Sequence, residues 1–350
     1  MLAPMDARWT GTQSTIVRRR FHCRQSRETR TGIRGLMNPF ERGRWRWLPL
    51  VLGFLAAPSQ AQPGANPASP TPPPPPVPYS LPWQLRPAAV ANTLRLDTSI
   101  GFWEDAAGRA GDTWVSGLIA TRKVTNRVAL LGRVSYIDNH PPSPAQEKAG
   151  TAVSNPLLGA TFLRSQPGGR RQTLFLAATA PIGSGGGESP RAAQTAALSR
   201  AIATRSAMDN ALFAVNYFTL IGGASLARVT RGSTLQAEAT MLQLFRVRGP
   251  KSQDGKRTNF TAGVHLGRSF RPKVSAGLEL RYQRWLTDAA PARVDPRAKE
   301  TMTLAFGTRF HFKLGGSKWV RPGLSFSIPL DQPLSGQRYR ILQVDVPVSF

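Results

Sequence analysis

The chain ends in Leu342-Gln343-Val344-Asp345-Val346-Pro347-Val348-Ser349-Phe350, where apolar residues alternate with mostly polar ones. Successive side chains of a β-strand point to opposite faces, so this period of two predicts a strand with one apolar face. In a soluble sheet an apolar face covers a core, whereas in a membrane barrel it faces lipid. The rest of the sequence has to decide between these two interpretations.

The segment 301–314 repeats the alternation and favours the second interpretation. Its apolar face contains Met302, Leu304, Phe306, Phe310, Phe312 and Leu314, and its other face contains Arg309, His311 and Lys313 in succession. Three cationic or titratable groups in a row cannot be buried in an apolar core without a large desolvation cost. They fit a water-filled lumen, so the segment predicts a barrel strand with lipid on its apolar side.

The same period recurs from residue 92 to the end and predicts about twelve strands. They are 93–104, 112–122, 128–137, 153–164, 172–182, 211–229, 234–247, 258–269, 274–285, 300–314, 319–330 and 338–350. Short and long connections alternate along this order, as they do in outer-membrane barrels with short periplasmic turns. We therefore predict an all-β fold, a transmembrane antiparallel up-and-down β-barrel over 92–350 with both termini periplasmic.

The longest connection, 184–210, differs from the others in composition. Ser189-Pro190 precedes an Ala-rich stretch, and a proline at this position is typical of the first turn of a helix. We predict a short helix in this extracellular loop. It either lies exposed on the surface or folds over or into the barrel mouth and constricts it.

The first 91 residues predict export rather than a folded domain. Residues 37–61 combine Arg42, Arg44 and Arg46, a short apolar run and the small-residue ending Ser59-Gln60-Ala61, which is typical of a cleavable signal peptide. Residues 1–36 are interpreted as a mis-annotated extension. Residues 62–91 begin with a Pro-, Ala-, Ser- and Gly-rich stretch and are predicted to be a solvated periplasmic linker.

Composition excludes several other classes of protein. Hydrophobic residues make up 41% of the chain, too few for a bundle of membrane helices. Of the net charge of +27, +8 falls in residues 1–61, and the remaining +19 is spread along strands and loops. Without a basic block interleaved with aromatics, we expect no nucleic-acid partner. The single cysteine, Cys23, precedes the predicted cleavage point, which excludes disulfides and cysteine metal sites from the mature chain. No cofactor and no metal are expected.

Charged and titratable residues at predicted inward positions are the candidate site. They are Arg133, Glu238, His265, Glu279, Arg281, Arg309, His311, Lys313 and Arg321. One interpretation is a cationic wall of Arg281, Arg309, Lys313 and Arg321 that favours anionic solutes. The other is that Glu279, Arg281 and Arg309 pair with one another across strands and fill a narrow barrel.

No catalytic motif stands out. The chain has four histidines and no Gly-x-Ser-x-Gly or His-Glu-x-x-His pattern, and no serine stands in a recognised catalytic context beside His265 or His311. We therefore predict that the protein is not an enzyme. An outer-membrane lipid hydrolase using His265 or His311 is the less favoured alternative.

Several short segments are similar to a known family. They are Leu81-Pro82-Trp83-Gln84-Leu85-Arg86-Pro87, Arg205-Ser206-Ala207-Met208-Asp209-Asn210, Ala237-Glu238-Ala239-Thr240, Phe245-Arg246-Val247-Arg248, Arg281-Tyr282-Gln283-Arg284-Trp285 and Phe310-His311-Phe312-Lys313-Leu314. With them, the region from 81 to 350 resembles outer-membrane transporter-like proteins of the MetA-pathway phenol-degradation type and, more distantly, FadL-like channels. The resemblance implies a barrel that passes small hydrophobic or aromatic compounds. FadL-like channels carry an N-terminal plug, whereas the proline-rich N-terminus here predicts none.

The sequence thus predicts an outer-membrane channel or transporter-like barrel for a small solute, either anionic or aromatic and hydrophobic. A structural or assembly barrel with a closed lumen is the alternative. Val346, Val348 and Phe350 form the predicted assembly signal for the barrel-assembly machinery, because outer-membrane barrels end in such an alternating, aromatic-terminated strand. The expected partners are outer-membrane lipid, that machinery and the solute, and the expected state is a monomer.

Overall fold

The computed structural model describes residues 79–143, 147–230, 232–250 and 254–350. The predictions for 1–36, for 37–61 and for the first part of 62–91 lie outside these ranges.

The strands and helices are as follows. The strands are β1 Thr93–Glu104, β2 Ala110–Lys123, β3 Val128–His140, β4 Gly150–Val153, β5 Leu157–Gln166, β6 Arg170–Thr179, β7 Tyr217–Thr230, β8 Ser233–Arg246, β9 Lys256–Arg271, β10 Val274–Trp285, β11 Glu300–Phe310, β12 Phe312–Gly315, β13 Lys318–Val320, β14 Gly323–Pro329 and β15 Arg340–Ser349. The helices are α1 Ala192–Thr204, α2 Asn210–Phe213 and α3 Ala290–Val294, and 3₁₀ turns cover Pro167–Gly169 and Pro296–Lys299.

The sheet closes on itself because β1 pairs with β2 on one side and with β15 on the other. Thr93 lies opposite both Thr121 and Ser349 in these two antiparallel pairings. β12 continues β11 and β13 leads into β14 in unchanged register, and β4 is a short addition beside β3. Counted this way, the barrel has twelve strands, and the predicted antiparallel up-and-down architecture is confirmed.

The two ends of the barrel differ in the length of their connections. At one end, here called the turn end, short connections join β2 to β3, β5 to β6, β7 to β8, β9 to β10 and β12 to β13. At the other, here called the loop end, the chain runs through longer connections, of which 180–216 is the longest. β1 begins and β15 ends at the turn end, so both ends of the barrel domain lie on the same side.

The two faces of the barrel wall differ in polarity. Outward positions are apolar and exposed: Leu174 is 61% and Leu226 is 63% exposed, and Val346, Val348 and Phe350 all point outward. Most inward positions on β9, β10, β11, β14 and β15 are polar and buried, including Thr261, Thr303 and Ser325. An apolar exterior around a polar interior is the wall of a membrane barrel rather than of a soluble sandwich.

The predicted helix is confirmed as α1, within the connection 180–216. Its Ala197, Leu198 and Ala201 are buried, and it contacts β1, β2, β3 and β4. It therefore folds into the barrel rather than lying exposed on the surface. Among the described residues, no helix combines the length and the apolarity that crossing a membrane would require.

Candidate functional site: an occupied lumen

Residues 79–88, here called the plug segment, lie inside the barrel. The segment has no regular secondary structure, yet Trp83, Leu85 and Ala88 are almost completely buried. Its partners come from seven strands, β1, β6, β8, β9, β10, β11 and β15. A chain that touches so many strands of a closed barrel from their inward faces must occupy the lumen.

The plug segment is held mainly through its backbone. The Glu279 carboxylate accepts hydrogen bonds from the amides of Trp83, at 2.7 Å, and Gln84, at 3.0 Å. The Glu238 carboxylate accepts from the amide of Arg86 at 2.9 Å and also binds its guanidinium. Two buried carboxylates of the barrel wall thus satisfy backbone donors that have no strand or helix partner.

Backbone carbonyls of the plug segment are satisfied in the same way. Arg95 and Gln343 donate to the Trp83 carbonyl, Gln236 donates to the Arg86 carbonyl, and Arg171 donates to the Ala88 carbonyl. In an open channel these polar side chains would bind water. Here they form the hydrogen bonds to the plug backbone that a neighbouring strand would otherwise form.

Inward-facing glycines make room for the plug side chains. A Cβ atom at Gly263 would lie 2.6 Å from the Leu85 side chain, and one at Gly323 would lie 2.7 Å from the Trp83 ring. A Cβ atom at Gly267 would lie 2.2 Å from Ser80. The wall is therefore shaped for this segment at three separate points.

This arrangement corrects the description of 62–91 as a solvated linker. From residue 79 onward the chain lies in the lumen, and the expectation that the N-terminus carries no plug is wrong. The physical reason is that Trp83 and Leu85 gain from burial while the carboxylates and amides of the wall remove the cost of burying an irregular backbone. The signal was present in the two apolar residues that follow the proline-rich run.

The second occupant of the lumen is the connection 180–216, here called the inward loop. Arg205 is 1% exposed and bridges two carboxylates, Asp97 of β1 at 2.9 Å and Asp209 of the loop at 2.8 Å. Asp209 also pairs with Arg133 of β3 at 2.6 Å. A buried guanidinium with several charge-assisted hydrogen bonds fixes the loop to the wall.

The backbone turns sharply at this point. Ser206 and Ala207 have φ values of 54° and 53°, a left-handed conformation that residues with a Cβ atom adopt at a cost. The surrounding ion pairs hold the turn, and Arg281 of β10 donates to the Ser206 hydroxyl. Arg281 also binds Glu279, so it connects the inward loop to the carboxylate that holds the plug segment.

The inward loop also carries its own apolar core. Leu198, Leu212 and Phe213 pack against inward-facing apolar residues of the strands at the loop end, namely Val115, Ile137, Leu157, Leu242 and Leu244. On this side the barrel interior resembles that of a soluble protein. The plug segment, in contrast, lies among polar inward residues of the turn end.

The structure places the predicted site residues in three groups. Those paired inside the lumen are Arg133, Glu238, Glu279, Arg281 and Arg309. His265, His311 and Arg321 face inward at the turn half, with His265 fully buried and Arg321 partly exposed. Lys313 is exposed at the rim of the turn end.

The proposed cationic wall is therefore largely neutralised in this state. Arg309 pairs with Asp345 at 2.6 Å, and Arg95 shares the same carboxylate at 2.8 Å. Arg281 pairs with Glu279 at 2.6 Å on its own strand, and not across strands as the second interpretation supposed. Pairing of this kind lowers the cost of burying the charges, which explains how so many fit in one interior.

Two serine–histidine contacts bear on the hydrolase alternative. Ser275 Oγ lies 2.9 Å from His311 Nε2, and Ser80 Oγ lies 3.3 Å from His265 Nε2. His265 Nδ1 is 3.8 Å from Glu279, beyond hydrogen-bond distance, and that carboxylate already accepts from two amides and Arg281. The charged neighbours of His311 are Arg309 and Arg321, which cannot accept a proton from the ring. In neither case does a carboxylate orient the histidine as a triad needs.

No group of three or more histidine, aspartate, glutamate or cysteine residues in the described ranges has the arrangement of a metal site.

A closed, even-stranded barrel with an apolar exterior and a polar interior is an outer-membrane β-barrel. Solved structures similar in fold include the COG4313 outer membrane channel from Pseudomonas putida F1, 11% identical, covering 77% of this chain and 98% of that chain with a TM-score of 0.48. The NanC porin is 8% identical, covering 73% and 98% with a TM-score of 0.44. A Pseudomonas aeruginosa FadL homologue is 9% identical, covering 74% and 90% with a TM-score of 0.37. No protein-family profile matches the chain, and no curated protein matches it in sequence.

Proposed function

We propose that the protein is an outer-membrane channel for a small solute and that displacement of the plug segment opens it. The observation that carries this proposal is the polar wall around the plug segment. Glu238, Glu279, Gln236 and Gln343 bind its backbone, and each is a side chain that water or a polar solute can equally well satisfy. A structural barrel with no need to open would be stabilised as well by an apolar core.

The inward loop acts as the fixed constriction in this proposal. Its apolar contacts with Val115, Ile137 and Leu244 would be exposed to water if it left the lumen. The passage therefore runs past the loop along the polar inward faces of β10, β11, β14 and β15.

The solute is proposed to be anionic. Once the plug segment leaves, Arg171, Arg309 and Arg321 face the passage at the turn half, and Arg171 has no carboxylate partner among the described residues. Inward arginines also outnumber inward carboxylates along the described wall. A lumen with excess fixed positive charge favours anions.

The channel would lie in the outer membrane with the turn end and both termini in the periplasm. Short turns and both ends of the barrel domain fall on the same side, as in bacterial outer-membrane barrels.

The test is single-channel conductance of the full chain and of a deletion of residues 79–88 in planar bilayers. The deletion variant should conduct continuously and with anion preference, whereas the full chain should conduct briefly or not at all. A folded deletion variant with no conductance would contradict the proposal and support the closed structural barrel. Loss of anion preference in Arg309→Gln with Arg171→Gln, made in the deletion background, would identify the charges that select.

The hydrolase alternative rests on the Ser275–His311 contact. A phospholipid and lipopolysaccharide deacylation assay comparing wild type with Ser275→Ala tests it, and we expect no activity in either protein.

A further inference from the structure

Positive charge is concentrated at the turn end of the barrel. Residues 92–95, 121–128, 163–172, 226–236, 266–276, 311–322 and 347–350 contain no aspartate or glutamate. The described cations of this end are Arg95, Arg122, Lys123, Arg127, Arg164, Arg170, Arg171, Arg228, Arg268, Arg271, Lys273, Lys313, Lys318 and Arg321. Most of these cations do not face the lumen, because they lie at outward positions of the strands or in turns.

Three of these arginines face outward in the part of the sheet formed by β6 to β9. Arg170, Arg228 and Arg268 are exposed and follow the outward, lipid-facing alternation of β6, β7 and β9. Arg170 stands directly opposite Arg228 in the β6–β7 pairing. Like charges directly opposite each other destabilise a sheet, and no described residue forms an ion pair with any of the three. An anion bound between them would remove this repulsion.

A cavity of about 560 Å³ opens on the outer surface beside these arginines. Arg228 and Arg268 line it together with the outward leucines Leu235, Leu266 and Leu278, and the small Ala276 leaves its floor open. The leucines belong to the lipid-facing band, whereas the arginines stand at the strand ends where the band meets the turns. One site therefore offers an apolar surface and, at its rim, a pair of guanidinium groups.

We infer that this cavity binds an anionic phospholipid, with its phosphate between Arg228 and Arg268 and an acyl chain along Leu235, Leu266 and Leu278. Guanidinium groups bind phosphate oxygens in bidentate fashion, and cations next to a membrane surface attract anionic lipid. The inference rests on the proposed orientation, because the turn end then lies at the headgroups of the inner leaflet, where phospholipids are found.

Such a lipid would have a structural consequence for β6, β7 and β9. Of these strands, β6 contacts the plug segment through Arg171 and β9 contacts it through His265, and β8, which lies between β7 and β9, contacts it through Gln236. A phosphate bound to Arg228 would partly neutralise this arginine and so reduce its repulsion with Arg170, which stands opposite it in the β6–β7 pairing. The lipid would thus act on the wall and not enter the passage.

The experiment is native mass spectrometry of the full chain in detergent micelles, with phosphatidylglycerol or phosphatidylcholine of identical acyl chains as the probe. Wild type should retain phosphatidylglycerol in preference to phosphatidylcholine. Arg228→Gln with Arg268→Gln should weaken phosphatidylglycerol binding by about fivefold for each arginine removed. Arg127→Gln is the matched control, because Arg127 is an exposed cation of the same end in the β2–β3 turn, away from the cavity.

A second variant tests the acyl-chain part of the site without changing any charge. Ala276→Phe should fill the cavity and weaken binding of phosphatidylglycerol. In wild type, added inorganic phosphate should not displace phosphatidylglycerol, because it cannot occupy the apolar part of the site. If Arg127→Gln lost as much phosphatidylglycerol binding as Arg228→Gln with Arg268→Gln, the site would be overturned, because the lipid would then bind to the positive charge of the whole turn end and not to this cavity. Competition by inorganic phosphate, or equal binding of the two lipids, would also overturn it. Conductance of the same samples reports separately on the channel, so failure of one proposal is distinguishable from failure of the other.

Discussion

The plug segment and the inward loop occupy the same lumen but are held in different ways. The inward loop is tied to the barrel at both ends, contains α1, and packs an apolar core against Val115, Ile137 and Leu244. The plug segment leads into β1, has no regular structure, and binds mostly through backbone groups to polar wall residues. Removing the loop would expose an apolar core to water, whereas removing the plug would expose the side chains of Trp83, Leu85 and Ala88 and, on the wall, mainly polar groups that water can satisfy.

This difference suggests a division of roles. In the function proposed above, the inward loop belongs to the folded core and sets the constriction, and the plug segment is the part that leaves. Variants that weaken the first should lower stability, and variants that weaken the second should raise conductance with little effect on stability.

The largest effect on stability is expected for Arg205→Ala. It leaves the Asp97 and Asp209 carboxylates buried without the guanidinium that pairs with both of them, and breaking a buried ion pair typically costs about 3–5 kcal/mol. We expect a matching decrease in the free energy of unfolding, measured by urea titration in detergent micelles. Arg340→Ala, an exposed arginine at the loop end, is the control and should leave the free energy unchanged. A wild-type unfolding curve for Arg205→Ala would show that the loop does not depend on this network.

The next effect is expected for Trp83→Ala in the plug segment. Loss of this buried ring, which also stacks with Arg309 at 4.5 Å, should weaken docking of the plug by about 3 kcal/mol. The ratio of open to closed time in single-channel records should then rise by about a hundredfold. Unfolding of the barrel should change little.

Trp114→Ala serves as its control, because Trp114 is an outward, exposed tryptophan at the loop end. If both variants, or neither, changed the open time, the plug segment would not be the closure.

The smallest effect is expected for Gly263→Ala. The added methyl group would meet Leu85 at 2.6 Å, and overpacking of this kind costs about 1–3 kcal/mol. Open time should increase less than for Trp83→Ala, with the polar contacts of the plug all retained. At Gly117, also inward-facing, the atom nearest to an added Cβ would be Ser135 Oγ at 3.3 Å, and none of the three nearest atoms belongs to the plug segment, so Gly117→Ala should leave gating as in wild type. A larger response at position 117 than at 263 would argue against the steric fit.

The candidate site was only partly predictable. Inward positions of Arg133, Glu279, Arg281 and Arg309 follow from alternation alone, because strand parity fixes which face a side chain occupies. The ion pairs that these side chains form cannot be predicted from the alternation. Asp345, which neutralises both Arg95 and Arg309, lies 250 residues from Arg95 in the chain and meets it only because β15 closes on β1.

The two lumen occupants were harder still. The segments 81–87 and 205–210 resemble stretches of a known family, yet apart from the apolar Trp83 and Leu85 nothing in their composition places them inside a barrel. Ser206 and Ala207 adopt a left-handed conformation although neither is a glycine, so the sequence does not predict this turn. The ion pairs of Arg205 hold the backbone in that conformation. Alternation predicts Glu238 and Glu279 as channel-lining charges. In the structure both carboxylates also accept from amides of residues 83–86, a part of the chain predicted to be solvated.

The sequence by itself determined the closed barrel, the outward face of Val346, Val348 and Phe350, and the helix in the long connection. Each of these follows from local rules, namely a period of two, turn length and a proline-led helix start, which neighbouring residues enforce without help from distant ones. Only the tertiary structure decided that the lumen is occupied and by what. That outcome depends on complementarity between segments far apart in sequence, such as Trp83 against Gly323 and Arg205 against Asp97, and this complementarity exists only once the barrel has closed.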